Sequence, residues 1–239
     1  MIINRFKAVI FDLDDTLFDH RHSVRTALSA MQKKYDCFRQ ISLDEFERLH
    51  IKLLNEIHVE RILTGELTLD EGRAMRFEQA FKILKVNPTP EMKYEAADYY
   101  RKNYLQSTRL KPGAYELLEE VKKTYKTGIV TNNLVEEQNR KLAECGIENL
   151  IDIMVTSEEA GVTKPNPEIF NIVLDKLNCS SGEAVMIGDA WEADIIGAHN
   201  LGMKCIWINT YEEIRETNGI AVEIATMEDK ERILSLINE

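Results

Sequence analysis

The chain of 239 residues lacks most of the features that mark secreted, membrane-spanning or nucleic-acid-binding proteins. Its four cysteines, Cys37, Cys145, Cys179 and Cys205, include no CxxC pair and no His/Cys spacing suited to zinc. Neither a disulfide framework nor a zinc module is therefore expected, and the thiols read as reduced. No apolar run approaches the length of a membrane span. The run leading to Asp12 is broken by Asn4, Arg5 and Lys7 and has no signal-peptide core or cleavage site. Basic residues are outnumbered, 30 Lys and Arg against 41 Asp and Glu, for a net charge of −11. A polyphosphate backbone or an anionic membrane would require a clustered basic face, so neither is an expected partner. There is no internal repeat and no low-complexity tract. The expectation is a soluble, cytoplasmic protein, and a small anionic substrate would need local positive charge or a metal to approach.

Hydrophobic residues make up 44% of the chain and charged residues 30%, enough for a sizeable core under an ordinary surface. The length suits one large domain or a domain carrying a smaller insert. Lys7–Leu13 is a short apolar, β-branched run that ends in polar residues, the pattern of a buried strand. Similar runs follow at Thr127–Thr131, Ile151–Thr156, Ala184–Gly188 and Lys204–Asn209. Helical patterns separate them at 112–123, 134–145, from Asn166-Pro167-Glu168 through Leu177, at 193–201 and at 229–237. Gly146 and Gly202 stand where two of these helices should stop, and Asn166-Pro167 is an N-cap followed by Pro at N1. This alternation predicts an α/β fold, a Rossmann-like parallel sheet with helices on both faces.

Residues 19–109 contain no strand pattern. Ser42-Leu43-Asp44-Glu45 and Thr68-Leu69-Asp70-Glu71 fit the capping box, and Thr89-Pro90-Glu91 adds a cap with Pro at N1. Four helices are expected there, at 22–36, 43–63, 69–85 and 91–106. The chain therefore reads as an α/β core, 1–18 and 110–239, interrupted by an all-helical insert, 19–109. Because the insert starts just after the first strand, it is expected over the C-terminal edge of the sheet, where open α/β sheets bind ligands.

Four polar groups stand at the ends of the predicted strands. Asp12 and Asp14, with Asp15 beside them, follow the first; if the strand continued, Asp12 and Asp14 would share one face. Carboxylates this close repel, and call for a raised pKa or a cation. Asp189 follows the fourth strand and Asp194 stands near the start of the next helix, so Asp189 would face Asp12 if strands one and four are neighbours. An all-oxygen set suits a hard cation such as Mg²⁺. Thr131-Asn132-Asn133 offers a hydroxyl and amides for phosphate oxygens. Lys164, just before a helix, is a cation able to neutralise both aspartates and phosphate.

In this order, the four segments resemble the signature of the haloacid dehalogenase superfamily. Asp12-Leu13-Asp14-Asp15-Thr16 is similar to its DxDxT motif, Thr131 to its second motif and Lys164 to its third. Gly188-Asp189 with Asp194 is similar to its GDxxxxD motif, and the insert to its C1-type helical cap. The resemblance implies a phosphatase in which Asp12 attacks phosphorus to form an aspartyl-phosphate. Asp14 is then the acid for the leaving group and the base for water. The Asp12 carboxylate, the Asp14 backbone carbonyl and the Asp189 carboxylate hold Mg²⁺; Thr131 and Asn132 bind phosphoryl oxygens; Lys164 secures nucleophile and phosphate. Thr16 and Asp194 support these groups.

The superfamily's dehalogenases have no acid at the Asp14 position, so the resemblance excludes that reaction here. The implied substrate is a small-molecule phosphate monoester: a nucleotide, sugar or organic-acid phosphate. Two other functions share the framework. A sugar-phosphate mutase would pass the same aspartyl-phosphate back to substrate, but such relatives commonly carry Gly where Asp15 stands. A non-enzymatic binding module would be expected to have lost the nucleophile or a metal aspartate. Within the insert, His20, Arg21, His22 and Arg25, or the tyrosines Tyr94, Tyr99, Tyr100 and Tyr104, either contact substrate or serve the insert's own surface and core. Trp191 either packs against the insert or covers the sheet edge.

Overall fold

A computed structural model describes residues 5–62 and 64–239, without the side chains of residues 58 and 59. By their internal contacts these residues divide into two compact units, Met1–Asp19 with Arg109–Glu239, and His20–Thr108.

The first unit is a six-stranded sheet in the order β3-β2-β1-β4-β5-β6, with every neighbouring pair parallel. The strands are β1 (Ala8–Phe11), β2 (Lys126–Thr131), β3 (Ile153–Thr156), β4 (Ala184–Gly188), β5 (Lys204–Ile208) and β6 (Val222–Ile224). All four residues of β1 and all five of β4 are buried, as a central parallel strand covered on both faces requires. Phe11, the last residue of β1, is level with Ile129 of β2 and Ile187 of β4, which run on to Thr131 and Gly188.

Helices α5 (Ala114–Lys122), α6 (Val135–Glu144), α7 (Ser157–Ala160), α8 (Pro167–Leu177), α9 (Gly197–His199) and α10 (Lys230–Asn238) belong to this unit. One face of the sheet, through Ile10, Val130, Val155 and Met186, packs on Ile169, Phe170, Val173 and Leu177 of α8 and on Ala198 of α9. Each of these side chains larger than alanine contributes about 1.5–3 kcal/mol by leaving water. Gly128 lets α8 come this close, since a Cβ there would lie 2.9 Å from Leu177 Cδ1.

The second unit comprises α1 (His20–Lys34), α2 (Leu43–Ile57), α3 (Leu69–Ile83) and α4 (Pro90–Leu105). The Thr68–Glu71 capping box and the Thr89 cap form as the sequence predicts. Its core is aromatic, with Phe38 stacked on Phe46 at 4.5 Å and packed on Phe81 at 4.8 Å. At the crossing points of the chain, Arg109 Nη2 and Asp19 Oδ2 pair at 2.7 Å.

Three predictions need correction. The helix predicted over 43–63 is α-helical only to Ile57 and continues as a π-helical turn, His58–Ile62; residue 63 lies outside the described residues. The helix predicted over 193–201 starts earlier, as π-helix over Trp191–Ile196 and then α9. The strand β6 was not predicted, because Val222-Glu223-Ile224 is too short for a periodic signal.

Candidate active site

The strand order reverses direction around β1, and the predicted residues gather at the carboxyl ends of β1, β2 and β4, where an open α/β sheet forms its crevice. Asp12 is buried directly after β1, and its N–H donates to Ile187 O at 2.9 Å, so β4 fixes its position. Asp189 leaves the end of β4 beside it. Its Oδ1 accepts from Thr16 Oγ1 at 2.8 Å, and its backbone carbonyl accepts from Trp207 Nε1, also at 2.8 Å. Trp191 packs edge-on against Trp207 at 4.9 Å and so covers the end of the sheet next to Asp189.

Lys164 is the centre of the site. Its Nζ donates to Asp12 Oδ1 at 2.5 Å, to Asp194 Oδ1 at 2.6 Å and to Val130 O at 2.8 Å, so each ammonium hydrogen has an acceptor. Burial alone would lower its pKa, but Asp12 and Asp194 outweigh that effect and hold it raised, fully charged. Asp194 is completely buried, and its other oxygen accepts from the Ala190 N–H at 3.0 Å. Gly188 makes room for it: a Cβ there would lie 2.4 Å from Asp194 Oδ2.

The carboxylates are under electrostatic stress. Burial raises the Asp12 carboxyl to about 7, opposed by Lys164 and reinforced by Asp194 and Asp14. Burial likewise lifts Asp189 well above the ordinary range, with Asp12, Asp194 and Asp15 adding repulsion against the Thr16 hydrogen bond. One oxygen from each of Asp12, Asp189 and Asp194 lies within 4.8 Å of the others. One ammonium among three acidic groups leaves negative charge uncompensated, and the donors are all oxygen. Both features fit a hard divalent cation.

Thr131 closes β2 and Asn132 follows it. Thr131 Oγ1 accepts from Gln138 Nε2 at 2.6 Å, which leaves its hydroxyl hydrogen to donate. The Asn132 side chain does not extend into the site as its type suggested. Its Oδ1 accepts from Lys164 N at 2.7 Å and its Nδ2 donates to Lys164 O at 3.1 Å, so it clamps the lysine loop and leaves its backbone N–H to serve a ligand.

Asp14 departs further from expectation. The strand ends at Phe11, Asp15 takes a left-handed backbone (φ 65°), and Asp14 forms a bridge with Phe18. The turn sends the Asp14 carboxylate toward α6, where Lys141 Nζ donates to Oδ1 at 2.5 Å and Oδ2 at 2.8 Å. Gln138 Nε2 adds a bond to Oδ2 at 3.0 Å. Sequence reasoning missed Gln138 and Lys141. Their signal was a three-residue spacing, which puts both on one helix face, but polar residues in mid-helix ordinarily read as solvated.

In the helical unit, the basic residues near its start are paired. Arg21 Nε meets Glu47 Oε1 at 2.6 Å, Arg25 Nη1 meets Asp44 Oδ1 at 2.7 Å and also reaches Glu47, and His20 Nδ1 shares a hydrogen with Tyr104 Oη at 2.9 Å. Tyr100 and Tyr104 are buried in that unit's core, whereas Tyr94 is exposed.

The model of the family described as haloacid dehalogenase-like hydrolase matches residues 9–208. A ribulose-1,5-bisphosphate 5-phosphatase of Halopiger xanaduensis is 29% identical, over 89% of this chain and 88% of its own. A glyceraldehyde 3-phosphate phosphatase of Methanothermobacter thermautotrophicus is also 29% identical, over 91% of each chain. Among solved structures, the HAD-hydrolase YfnB of Bacillus subtilis bound to magnesium has a TM-score of 0.75 at 25% identity, covering 97% of this chain and 99% of its own.

Proposed function

Because the chain belongs to the haloacid dehalogenase-like hydrolases, in their phosphatase branch, we propose that it cleaves a small-molecule phosphate monoester through a phosphoryl group carried on Asp12. The observation that carries this reading is the Lys164 ammonium held at 2.5 Å from Asp12 Oδ1. A buried carboxylate fixed at a strand end, with a cation against one oxygen, is suited to act as a nucleophile through the other.

Asp12 attacks phosphorus while Asp14 protonates the departing alkoxide. Asp14 then takes a proton from the water that releases phosphate. Thr131 donates its hydroxyl hydrogen to a phosphoryl oxygen, and the Asn132 backbone N–H provides a second donor. Lys164 offsets the charge that gathers on the nucleophile and the phosphoryl group. Mg²⁺ is the cofactor in this reading, held by the Asp12 and Asp189 carboxylates and the Asp14 backbone carbonyl, with Asp194 orienting Lys164. When bound it supplies Lewis-acid stabilisation of phosphoryl charge and lets an anionic ester approach an acidic protein. The magnesium in the structure of YfnB supports this choice of ion.

The substrate class rests on relatives that act on ribulose bisphosphate and glyceraldehyde 3-phosphate. The helical unit, read as the cap, is the part that would select among such esters. Hydrolysis of p-nitrophenyl phosphate tests the assignment. EDTA should abolish turnover and Mg²⁺ restore it, and Asp12→Asn should lower kcat by at least about a thousandfold with the fold intact. Substantial turnover by Asp12→Asn, or indifference to chelation, would overturn the nucleophile or the metal respectively.

A further inference from the structure

The buried lysine on α6 has no part in the chemistry described so far. Lys141 is buried, and its ammonium spans both oxygens of Asp14 at 2.5 and 2.8 Å. The aromatic ring of Phe18, which bridges to Asp14 in the backbone, lies 5.2 Å from the same ammonium. One turn earlier on the helix, Gln138 is fully buried and its Nε2 links Thr131 Oγ1, at 2.6 Å, to Asp14 Oδ2, at 3.0 Å. Asn133 Nδ2 adds a longer contact to the same oxygen at 3.4 Å. A short carboxylate on a turn with a left-handed neighbour has several rotamers available. Here, donors from one rigid helix face choose among them.

We propose that Lys141, assisted by Gln138, is a positioning residue for acid–base catalysis: its two contacts set the direction in which the Asp14 carboxyl points. This rests on the proposed acid–base role of Asp14. In the first step the Asp12 oxygen–phosphorus bond forms as the ester oxygen–phosphorus bond breaks. The proton of the Asp14 carboxyl passes to the departing oxygen, and the resulting carboxylate lies against the Lys141 ammonium. In the second step water bonds to phosphorus, its proton returns to Asp14, and Asp12 departs as a carboxylate. Through both steps the bonds from Lys141 and Gln138 hold the carboxyl in one direction. Gln138 couples the position of this acid to Thr131, the hydroxyl assigned to the phosphoryl group.

The test is the dependence on leaving group, read from kcat/KM in saturating Mg²⁺. p-Nitrophenolate departs without a proton, whereas the alkoxide of an alkyl phosphate must receive one. Asp14→Asn should depress kcat/KM for an alkyl phosphate about a hundredfold more than for p-nitrophenyl phosphate, within the range a general acid supplies. Lys141→Met should shift the same ratio in the same direction by about tenfold, and Lys141→Arg should recover part of it. Gln138→Leu, which leaves the lysine in place, should give a smaller shift of the same sign and serves if Lys141→Met does not fold. A selective Asp14→Asn combined with a Lys141→Met that lowers both esters equally would overturn the proposal and leave the Asp14 assignment standing. An Asp14→Asn without selectivity would overturn both.

Discussion

At the scale of single residues, the site is a problem of buried charge. Asp12 and Asp194 share one ammonium, and each of the three groups is nine-tenths or more buried. Such a cluster adds little net stability, because desolvation offsets the attraction, but removing one member leaves the others unpaired. Lys164→Met should therefore lower the unfolding free energy by about 3–5 kcal/mol in urea titration as well as abolishing activity. A loss below about 1 kcal/mol would mean that Asp12 and Asp194 are relieved some other way. The gathering of five residues was legible in sequence from their places in the chain: Asp12, Thr131 and Asp189 at strand ends, Lys164 and Asp194 by the helices that follow. Gln138 and Lys141 were not legible, because nothing along α6 reveals that the Asp14 turn folds onto its buried face. The direction of the Asp14 carboxylate was misread for the same reason, since the left-handed Asp15 breaks the strand alternation.

At the scale of elements, what could be read was periodicity and caps. The five longer strands, the insert and its capping boxes follow from patterns of two and of 3.6 residues. The π-helical turn at Trp191–Ile196 has no such signature; its widened geometry accompanies the placing of Asp194 against Gly188. In the helical unit, α2, α3 and α4 enclose a polar group that sequence could not assign. His50 is buried, its Nε2 lies 3.0 Å from Tyr100 Oη, and it packs on the Phe77 and Tyr100 rings. Burial first, then the positive charge of Arg76 and His20, holds its pKa well below 6.5. The folded unit thus keeps His50 neutral where the unfolded chain binds a proton. The stability due to its neutral state is fully present above about pH 6.5 and falls away as the pH drops below it. Melting temperature should accordingly decline between about pH 7.5 and 5.5, and His50→Gln should flatten that decline. Parallel profiles for the two proteins would show that His50 does not contribute.

At the scale of the whole molecule, an acidic chain with net charge −11 acts on an anion, and the contradiction is resolved only inside the crevice. Lys164 and the donors at the end of β2 supply there part of the positive field that the surface lacks. The parallel order β3-β2-β1-β4-β5-β6 makes this possible by bringing the carboxyl ends of neighbouring strands to one edge, so residues more than 150 positions apart in sequence, such as Lys164 and Asp12, meet. Among the described residues, no helix is long and apolar enough to cross a membrane. The family follows from the motifs and their order. The substrate does not follow from them; the basic groups at the start of the helical unit pair with Glu47 and Asp44. The central claim is that a phosphoryl group rests on Asp12, and rapid acid quench during turnover of a ³²P-labelled phosphate ester tests it most directly. The account predicts label on the peptide containing Asp12, released by hydroxylamine and missing from Asp12→Asn; label on another peptide, or none in a wild-type enzyme turning over, would contradict it.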